Sequence, residues 1–411
     1  MASVRKPVGP QRPVQAPSDA TAKTLVRVLQ GIGEIDATDW DACARGREPA
    51  AARANPFTSH AFLSALEESG SASRETGWLP SHIVVEQDGA LQGCMPCYLK
   101  THSRGEYVFD QGWADAYLRA GGYYYPKLQA SVPFTPATGR RLLVRADADQ
   151  EQIERLLLQA GAALTDQLDV SSLHITFLTR DEWQLAGALG YLLRTDQQFH
   201  WRNASFDSFD DFLSALSSRK RKAIRKERRD ALSGGIEMEW LTGKDLTEAH
   251  WDAFYAFYMD TGSRKWGSPY LNRAAFSLLG QTMMGQILLV MAKRGGRYIA
   301  GALNFIGADT LYGRYWGTID DQPCLHFETC YYQAIDFAIA HKLATVEAGA
   351  QGAHKLARGY LPVETYSAHY IADPDLRRAV ADFLRRERRA VALEIALLSD
   401  ESPYRHGMEQ Q

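Results

Sequence analysis

The sequence has few of the features that mark secreted, membrane-spanning or disordered proteins. Its five cysteines, in 411 residues, are too sparse and too odd in number for a disulfide framework, so we expect reduced thiols. Apolar runs such as "ILLVMA" stop within a few residues, whereas a membrane-spanning helix needs about 20, so no membrane crossing is predicted. The first 22 residues lack an apolar signal core. They predict a flexible tail and a cytoplasmic protein.

Net charge is also small overall, which makes one local excess stand out. The chain carries a formal charge of -3 at pH 7, yet the stretch Arg219 to Arg229, "RKRKAIRKERR", holds eight basic residues and one glutamate. Without this stretch the rest of the chain carries -10. A local cationic cluster on an acidic protein indicates a site for an anionic ligand, whereas a uniformly basic chain would favour non-specific binding to nucleic acid or membrane.

The composition and the hydrophobic pattern are those of a globular α/β protein. With 45% hydrophobic and 23% charged residues, the chain can bury sizeable cores. Strand-like runs flank the turn dipeptide Asp88-Gly89, and "GEYVFDQGW" predicts a third strand ending at Trp113. The region from Ile287 to Trp316 repeats this order, and "PKLQASVPFTP" resembles "HKLARGYLPVET". These similarities predict two copies of one unit; the alternative is a chance likeness between hairpin-rich halves.

Two helices are predicted from capping residues and apolar spacing. "NPFTSHAFLSALEESG" predicts a helix capped by Thr58 or Ser59. The stretch from Asp207 to Gly235 predicts one helix, with Ser208 and Ser218 as N-cap residues. The basic residues would then lie on a helix that opens the second unit.

Three stretches, in order, carry a resemblance to a known family: "SSRKRKAIRKERR", "LHFETCYYQAID" and "EAGAQGAHKLARGYLPVETYSAHY". They resemble the FemAB-like proteins of peptidoglycan biosynthesis or recognition, within the GNAT acyltransferase superfamily, over about residues 55 to 370. The resemblance implies an α/β (α+β) fold of two tandem GNAT-like units with mixed, mainly antiparallel sheets. The expected limits are a tail at 1–23, units at 24–200 and 201–375, and a C-terminal helix and tail at 376–411.

The resemblance also implies an activity. It indicates an N-acyltransferase that passes an acyl or aminoacyl group from an activated donor, acyl-CoA or aminoacyl-tRNA, to an amine, with a peptidoglycan-precursor peptide (a muropeptide) as one acceptor. No tightly bound cofactor is expected. Ordinary GNAT enzymes hold the CoA pyrophosphate with a Gly-rich loop, but the corresponding "GTIDDQPCLHFE" has one glycine and two aspartates, which favours aminoacyl-tRNA or an altered donor. The competing class is a non-catalytic binding protein for cell-wall fragments or lipid-linked sugars.

The predicted catalytic residues lie in the second unit. By the resemblance, Lys355 and Arg358 match a Lys/Arg-Gly-aromatic element whose cation stabilises the oxyanion during amine attack; surface salt bridges are the alternative. His326 and Glu328 lie earlier in the chain, at the start of a predicted amphipathic helix. Both are predicted general bases for the attacking ammonium group. Packing of the histidine and helix-dipole complementation by the glutamate are the alternatives. Glu347 lies just beyond the following strand and is expected to line the same cleft.

The predicted substrate-binding residues are more widely spread. Arginines of the basic helix are expected to bind phosphates of a tRNA acceptor stem or a precursor pyrophosphate; a solvated charged face is the alternative, and is predicted for "RRERR" at 385–389. The full predicted set is Arg219, Arg221, Arg225, Arg228, Trp113, Asp115, Tyr117, Tyr332, Gln351 and His354. No metal site is predicted, because "CMPC" has no second clean pair of ligands.

Overall fold

The computed structural model describes residues 23–47, 55–265, 269–349 and 352–405, so the predicted tail before Lys23 and residue Gln351 lie outside the described residues. The strands are β1 Thr24–Leu29, β2 Trp78–Pro80, β3 His82–Gln87, β4 Ala90–Met95, β5 Tyr98–Lys100, β6 Lys127–Ala130, β7 Leu143–Val144, β8 Ser172–Leu178, β9 Leu192–Arg202, β10 Ile236–Thr242, β11 Ile287–Arg294, β12 Arg297–Ile306, β13 Thr310–Thr318, β14 Thr345–Glu347 and β15 Leu361–Ile371.

Helices cover both faces of this framework. The α-helices are α1 Ala37–Arg45, α2 His60–Glu68, α3 Gln111–Arg119, α4 Gln150–Gln167, α5 Arg180–Ala188, α6 Phe209–Ala215, α7 Ser218–Ala231, α8 Glu248–Lys265, α9 Arg273–Thr282, α10 Leu325–Phe327, α11 Gln333–Ala340 and α12 Pro374–Asp400. A π-helix, Glu328–Tyr332, joins α10 to α11, and a 3-10 helix, Ala353–Arg358, precedes β15. Among the described helices, none combines the length and the apolar character that a membrane crossing requires.

The described strands form two sheets. One has the order β1-β3-β4-β7, and the other has the order β10-β11-β12-β13-β14-β9-β15-β8-β6-β5-β2. Most neighbouring strands are antiparallel, while β13 with β14 and β6 with β8 are parallel. The predicted mixed, mainly antiparallel α/β architecture is confirmed.

Each half of the chain begins with the same succession of elements. β1 is followed by α1 and α2 and pairs with β3, just as β10 is followed by α8 and α9 and pairs with β11. β3 and β4 form the predicted hairpin through Asp88 and Gly89, whose φ angles of 51° and 82° suit the tight turn. In α2, the predicted cap Ser59 accepts a hydrogen bond from the Phe62 backbone N–H.

Two details of the predicted repeat are wrong. The stretch ending at Trp113 contains no strand; Trp113 lies in α3, where it and Tyr117, four residues apart, share a helical face. The strand beyond β5 is instead β6, which pairs with it antiparallel. The Lys-Leu similarity is not structural either, because Lys127 begins a strand whereas Lys355 lies in a 3-10 helix.

The predicted single helix around the basic stretch is two helices, α6 and α7. Ser208 caps α6 as expected, but the chain becomes extended at Leu216, and Ser217 rather than Ser218 is the N-cap residue of α7. Leu216 is fully buried and forms an isolated β-bridge with Tyr404. The break therefore results from a contact distant in sequence, which local periodicity does not reveal.

Strands β9 and β15 join the two halves. β15 lies between β8 and β9, and the last residues of β9 pair with β14. The expected unit boundary between residues 200 and 201 falls inside β9, so the halves share one sheet; the unit limits stay a prediction. Helix α12, the predicted C-terminal helix, packs on β9 and β15 and buries Leu376, Val380 and Leu384.

Candidate functional site

A cleft opens where the parallel strands β13 and β14 separate. They pair only through Thr310–Tyr312 and Thr345–Glu347, while β13 continues to Thr318 with no described strand on that side. A β-bulge leaves Arg314 without a partner in β12. The backbone of Gly313–Gly317 therefore has no described strand partner on this edge, where a ligand can bind as at other open strand edges. At Thr318 the N–H donates to Thr261 and the carbonyl accepts from Arg264, both in α8.

Two cavities follow this edge and form one cleft. The smaller, of about 110 Å³, is lined by residues that include Asn304, Gly313 and Cys330. The larger, of about 290 Å³, lies beside the loop between β13 and α10. Trp316 and His326 line both cavities. The cleft thus runs from that loop to the point where the strands separate.

Aromatic rings form much of the cleft wall. The ring centre of His326 lies 5.2 Å from that of Trp316, 5.4 Å from Tyr331 and 5.6 Å from Phe327. The exposed His354 is attached to the same group, because its Nε2 lies 3.0 Å from the Tyr331 hydroxyl. The structure therefore brings together the predicted residues His326 and His354.

Lys355 is buried behind the wall of the smaller cavity. Lys355 is only 1% exposed, and its Nζ donates to the Gly349 carbonyl at 2.8 Å. Burial lowers the pKa of Lys355 to about 7. Two smaller effects act on this pKa: the Cys330 thiol raises it and Arg314 lowers it. A lysine with a pKa near 7 can exchange a proton at neutral pH, as a general acid or base must.

Glu347 is a second buried group near neutrality, at the end of β14. Burial raises the pKa of Glu347 to about 8, although Arg314 and Arg141 act to lower it. Its Oε1 lies 3.8 Å from Nε2 of His200, but burial lowers the pKa of His200 to about 3, so this imidazole is neutral. Within the described ranges, no group of three or more His, Cys, Asp or Glu could hold a metal ion.

These two buried groups predict pH dependences of stability with opposite signs. The pKa of Lys355 falls from 10.5 to about 7 on folding, so the unfolded chain binds more protons between these values and stability rises with pH there. The pKa of Glu347 rises from 4.5 to about 8, so stability falls as pH rises through that window. Urea unfolding at a series of pH values measures both effects. In Lys355→Met the rise of the unfolding free energy with pH should be smaller than in the wild type, and in Glu347→Gln its fall with pH should be smaller. Unchanged pH profiles in both variants would contradict the buried, shifted state.

Arg358 and Tyr332 tie the cleft to α7. Arg358 donates from Nη2 to Glu227 at 2.9 Å and from Nη1 to the His354 carbonyl at 2.7 Å. Its guanidinium carbon lies 3.4 Å from the ring centre of Phe327. The Tyr332 hydroxyl donates to the same Glu227 carboxylate. Arg358, predicted to face the oxyanion, is thus held by α7 and by the aromatic wall.

Glu328 and Arg228 form a buried ion pair. Glu328 is fully buried, and Arg228 donates to it at 3.1 and 2.9 Å, while Gln333 donates at 2.7 Å. Arg228 also donates to Asp336 at 2.7 Å and lies 4.2 Å from the ring centre of Phe209. These contacts occupy the Glu328 carboxylate and the Nε and Nη2 atoms of Arg228, whose side chain is 22% exposed and lines a surface cavity beside Arg225 and Arg229. These are the contacts of a stabilising ion pair, and the base role of Glu328 and the phosphate-binding role of Arg228 stay predictions.

The other cations of α7 face outward. The exposed cations are Arg219, Lys222, Arg225, Lys226 and Arg229, with Lys220 and Arg221 half-buried. Arg225 makes an exposed ion pair with Asp210 at 2.9 Å. This surface, the basic face of α7, adjoins the cleft: Gln322 in the cleft loop donates to the Asp230 carbonyl at 2.7 Å.

The predicted substrate-binding residues of α3 lie in a different part of the structure from the cleft lining. Trp113 packs against residues of α12. The centre of its ring lies 5.0 Å from the ring centre of His369 and 5.2 Å from the guanidinium carbon of Arg194. Asp115 is exposed and Tyr117 is half-buried on the same helix, α3. Trp113 and Tyr117 belong to a hydrophobic cluster separate from the cluster that contains Tyr331.

Sequence reasoning missed three cleft residues, namely Asn304, Gly313 and Tyr331. One signal for Asn304 was present, because it is the lone polar side chain in the apolar run "IAGALNFI" of β12. Nothing in the local sequence distinguishes Gly313 from other strand glycines, or Tyr331 from other aromatic residues on a buried helical face.

Several solved structures are similar to this chain. The crystal structure of FemX matches with a TM-score of 0.52 and 14% identity, over 84% of this chain and 98% of that chain. The structure of L-PGS from Bacillus licheniformis matches with a TM-score of 0.48 and 10% identity, over 82% of this chain and 99% of that chain. A tandem GNAT protein from the clavulanic acid biosynthesis pathway matches with a TM-score of 0.44 and 11% identity, over 86% of this chain and 99% of that chain. No curated protein matches the sequence. The likeness to FemX shows a shared fold.

A family model gives the more specific result. The FemAB-like model, described as peptidoglycan biosynthesis/recognition, matches residues 31–406. The match includes both halves of the sheet, the cleft and α12. The family description adds a place in peptidoglycan biosynthesis or recognition to the fold shared with FemX. The chain belongs to the FemAB-like family.

Proposed function

We propose that the protein transfers an acyl or aminoacyl group from an activated ester or thioester to an amine in the cleft beside β13. One observation carries the proposal: two buried groups have pKa values near neutrality, Glu347 at the end of β14 and Lys355, whose Nζ donates to the Gly349 carbonyl two residues beyond that strand. Perturbed pKa values of this kind are typical of sites that move protons. Amine acylation requires such a group, because an ammonium ion is not a nucleophile until it loses a proton.

The proposed reaction is direct attack without a covalent enzyme intermediate. Neutral Lys355 takes one proton from the acceptor ammonium, and the amine nitrogen then forms a bond to the donor carbonyl carbon. Backbone N–H groups on the open edge of β13 stabilise the oxyanion of the tetrahedral intermediate. The C–O or C–S bond breaks and the leaving group takes its electron pair. Of the two protons that the nitrogen loses, one passes to the leaving group and the other to solvent.

This scheme changes the role expected for Lys355 from the sequence. A cation that stabilises an oxyanion should remain charged throughout the reaction, whereas burial brings the pKa of Lys355 to about 7. Such a value suits proton transfer, since a general base works best near the operating pH. Arg358 supports the site indirectly, through its contacts with Phe327 and Glu227.

The basic face of α7 is proposed to hold phosphates of the donor or of the acceptor. Its exposed cations repel one another along the helix, and an anionic ligand would offset this repulsion. Lys226 is close enough to Cys324, which lines the larger cavity, to act on the pKa of that thiol. A ligand with phosphates on α7 can therefore extend directly into the cleft.

Salt dependence tests this anion site. Replacing Lys222, Lys226 and Arg229 by glutamine should weaken binding of aminoacyl-tRNA or of a nucleotide-linked muropeptide. For tRNA it should also reduce the slope of log affinity against log salt by roughly 0.7 to 0.9 per lost contact. The measurement is affinity from about 50 to 300 mM salt, a range over which phosphate-dominated binding changes by orders of magnitude. The matched control replaces Arg385, Arg386 and Arg389 on α12. If the α7 variant binds both ligands like the wild type at every salt concentration, the basic face binds neither ligand.

The acceptor proposed from the family description is the free amine of a peptidoglycan-precursor peptide. The experiment incubates the protein with a nucleotide-linked muropeptide and a panel of acyl-CoA and aminoacyl-tRNA donors. The mass of the muropeptide should increase by one acyl or aminoacyl residue with at least one donor. A muropeptide whose amine has been acetylated is the control and should not react. Tight muropeptide binding with no mass increase for any donor would instead establish the non-catalytic binding protein.

A further inference from the structure

We infer that Asn304 selects an aminoacyl donor by accepting a hydrogen bond from the donor's α-ammonium group in the smaller cavity. This inference rests on the proposed transfer reaction and names the class of group transferred. It assigns a specificity-determining role to one side chain at the floor of the cleft.

The orientation of the Asn304 amide is fixed by its own strand neighbours. The residue is 1% exposed, and Nδ2 donates to the Leu288 carbonyl at 3.3 Å and the Ala302 carbonyl at 3.2 Å. The reverse orientation would place the amide oxygen against two carbonyl oxygens. Oδ1 therefore points away from them and has no hydrogen-bond partner in the described protein. A buried acceptor in this state favours any ligand that brings an N–H donor.

The space in front of Oδ1 belongs to the cleft. Asn304 pairs with Gly313 across β12 and β13, and a Cβ on Gly313 would lie 3.4 Å from Oδ1 and 3.3 Å from the Glu347 carbonyl. Glycine keeps this space open. Both residues line the cavity of about 110 Å³, together with Cys330 and Tyr331.

The size and the walls of this cavity define what it can hold. At about 110 Å³, against about 290 Å³ for its neighbour, the smaller cavity suits a small group rather than a long side chain. Trp316 and Tyr331 present aromatic rings, which attract cations through their π faces. A small aminoacyl group satisfies Oδ1 through its ammonium hydrogens, whereas an acetyl or propionyl group offers no donor.

Binding of an ammonium group at this position is also compatible with the buried lysine. A cation near Cys330 favours the neutral amine form of Lys355, because like charges repel. The neutral amine is the form that takes the proton from the acceptor. Donor binding would therefore prepare the base.

The test compares two donors that differ only in the α-amine, alanyl and propionyl groups, on whichever carrier, tRNA or CoA, supports transfer. The wild type should prefer alanyl over propionyl by at least about 10-fold in kcat/KM, since sites built around a buried polar atom discriminate strongly. In Asn304→Leu this preference should fall about 10-fold or more, through loss of alanyl transfer, with propionyl transfer retained. An equal loss for both donors would overturn the inference, because it would indicate a structural role or contact with another part of the substrate.

A second variant keeps the test decisive if Asn304→Leu does not fold. Asn304→Ala removes the amide with little steric demand, so its preference for alanyl should fall as in Asn304→Leu. A wild-type preference for alanyl in Asn304→Ala would also overturn the inference. A wild-type protein that transfers neither group contradicts the proposed function itself, whereas one that transfers both groups equally contradicts only the role of Asn304.

Discussion

Replacing Lys355 by methionine is expected to reduce the rate of transfer by about 10² to 10⁴-fold, the usual contribution of a general acid or base. Methionine keeps the length and the apolar stem but removes the group that exchanges protons. The fold should persist, because an apolar side chain fits a site that is 1% exposed and avoids the cost of burying an amine. The measurement is the initial rate of amine acylation at saturating donor and acceptor, followed by mass spectrometry.

The pH profile makes this result specific to proton transfer. In the wild type, the rate should change with a group of pKa about 7, which the lysine supplies, and this dependence should be absent from the residual activity of the variant. Lys244→Met, at an exposed lysine in a short surface helix, is the matched control and should behave like the wild type. A Lys355→Met protein with the wild-type rate would rule out this lysine as the base.

Removing the Glu328 carboxylate should destabilise the protein more than any surface change. In Glu328→Leu, Arg228 loses its fully buried partner but stays partly exposed and paired with Asp336, so we expect a loss of about 1.5 to 3 kcal/mol of unfolding free energy, the usual worth of hydrogen bonds to a charged group. The double variant Arg228→Met, Glu328→Leu should recover much of that loss, because an apolar pair replaces the ion pair. Urea unfolding of the single and double variants measures both effects.

The exposed pair between Arg225 and Asp210 provides the control for this experiment. Both partners are more than half exposed, so Arg225→Met should change the unfolding free energy by less than about 1 kcal/mol. If Glu328→Leu were as stable as the wild type but inactive in transfer, Glu328 would be a base, as the sequence suggested, rather than a stabilising partner of Arg228.

Local signals in the sequence predicted local structure well. Asp88-Gly89 predicted the hairpin of β3 and β4, and Ser59 predicted the N-cap of α2. Both features could be predicted because a turn with positive φ or a capping hydrogen bond involves only neighbouring residues. The break between α6 and α7 depends on Tyr404, and the position of β15 between β8 and β9 depends on distant pairing. Such contacts leave no trace in a short window of sequence.

The candidate site shows the same division. Resemblance pointed to Lys355 and Arg358, but not to the burial that shifts the pKa of the lysine, and nothing pointed to the orientation of Asn304. The inward position of Arg228 was available from spacing: Ile224, Arg228 and Ala231 lie at positions i, i+4 and i+7 on one face of α7. Charge alone did not distinguish Arg228 from the exposed arginines beside it.

The most direct test of the account is a crystal structure of the protein with a donor analogue whose ester or thioester is replaced by a stable amide or ketone. The account predicts that the acyl group occupies the cavity of about 110 Å³, beside Asn304 and Tyr331. Its carbonyl oxygen should lie within hydrogen-bond distance of a backbone N–H on the open edge of β13. An analogue bound elsewhere, for example beside Trp113 under α12, would contradict the assignment of the cleft as the site of transfer.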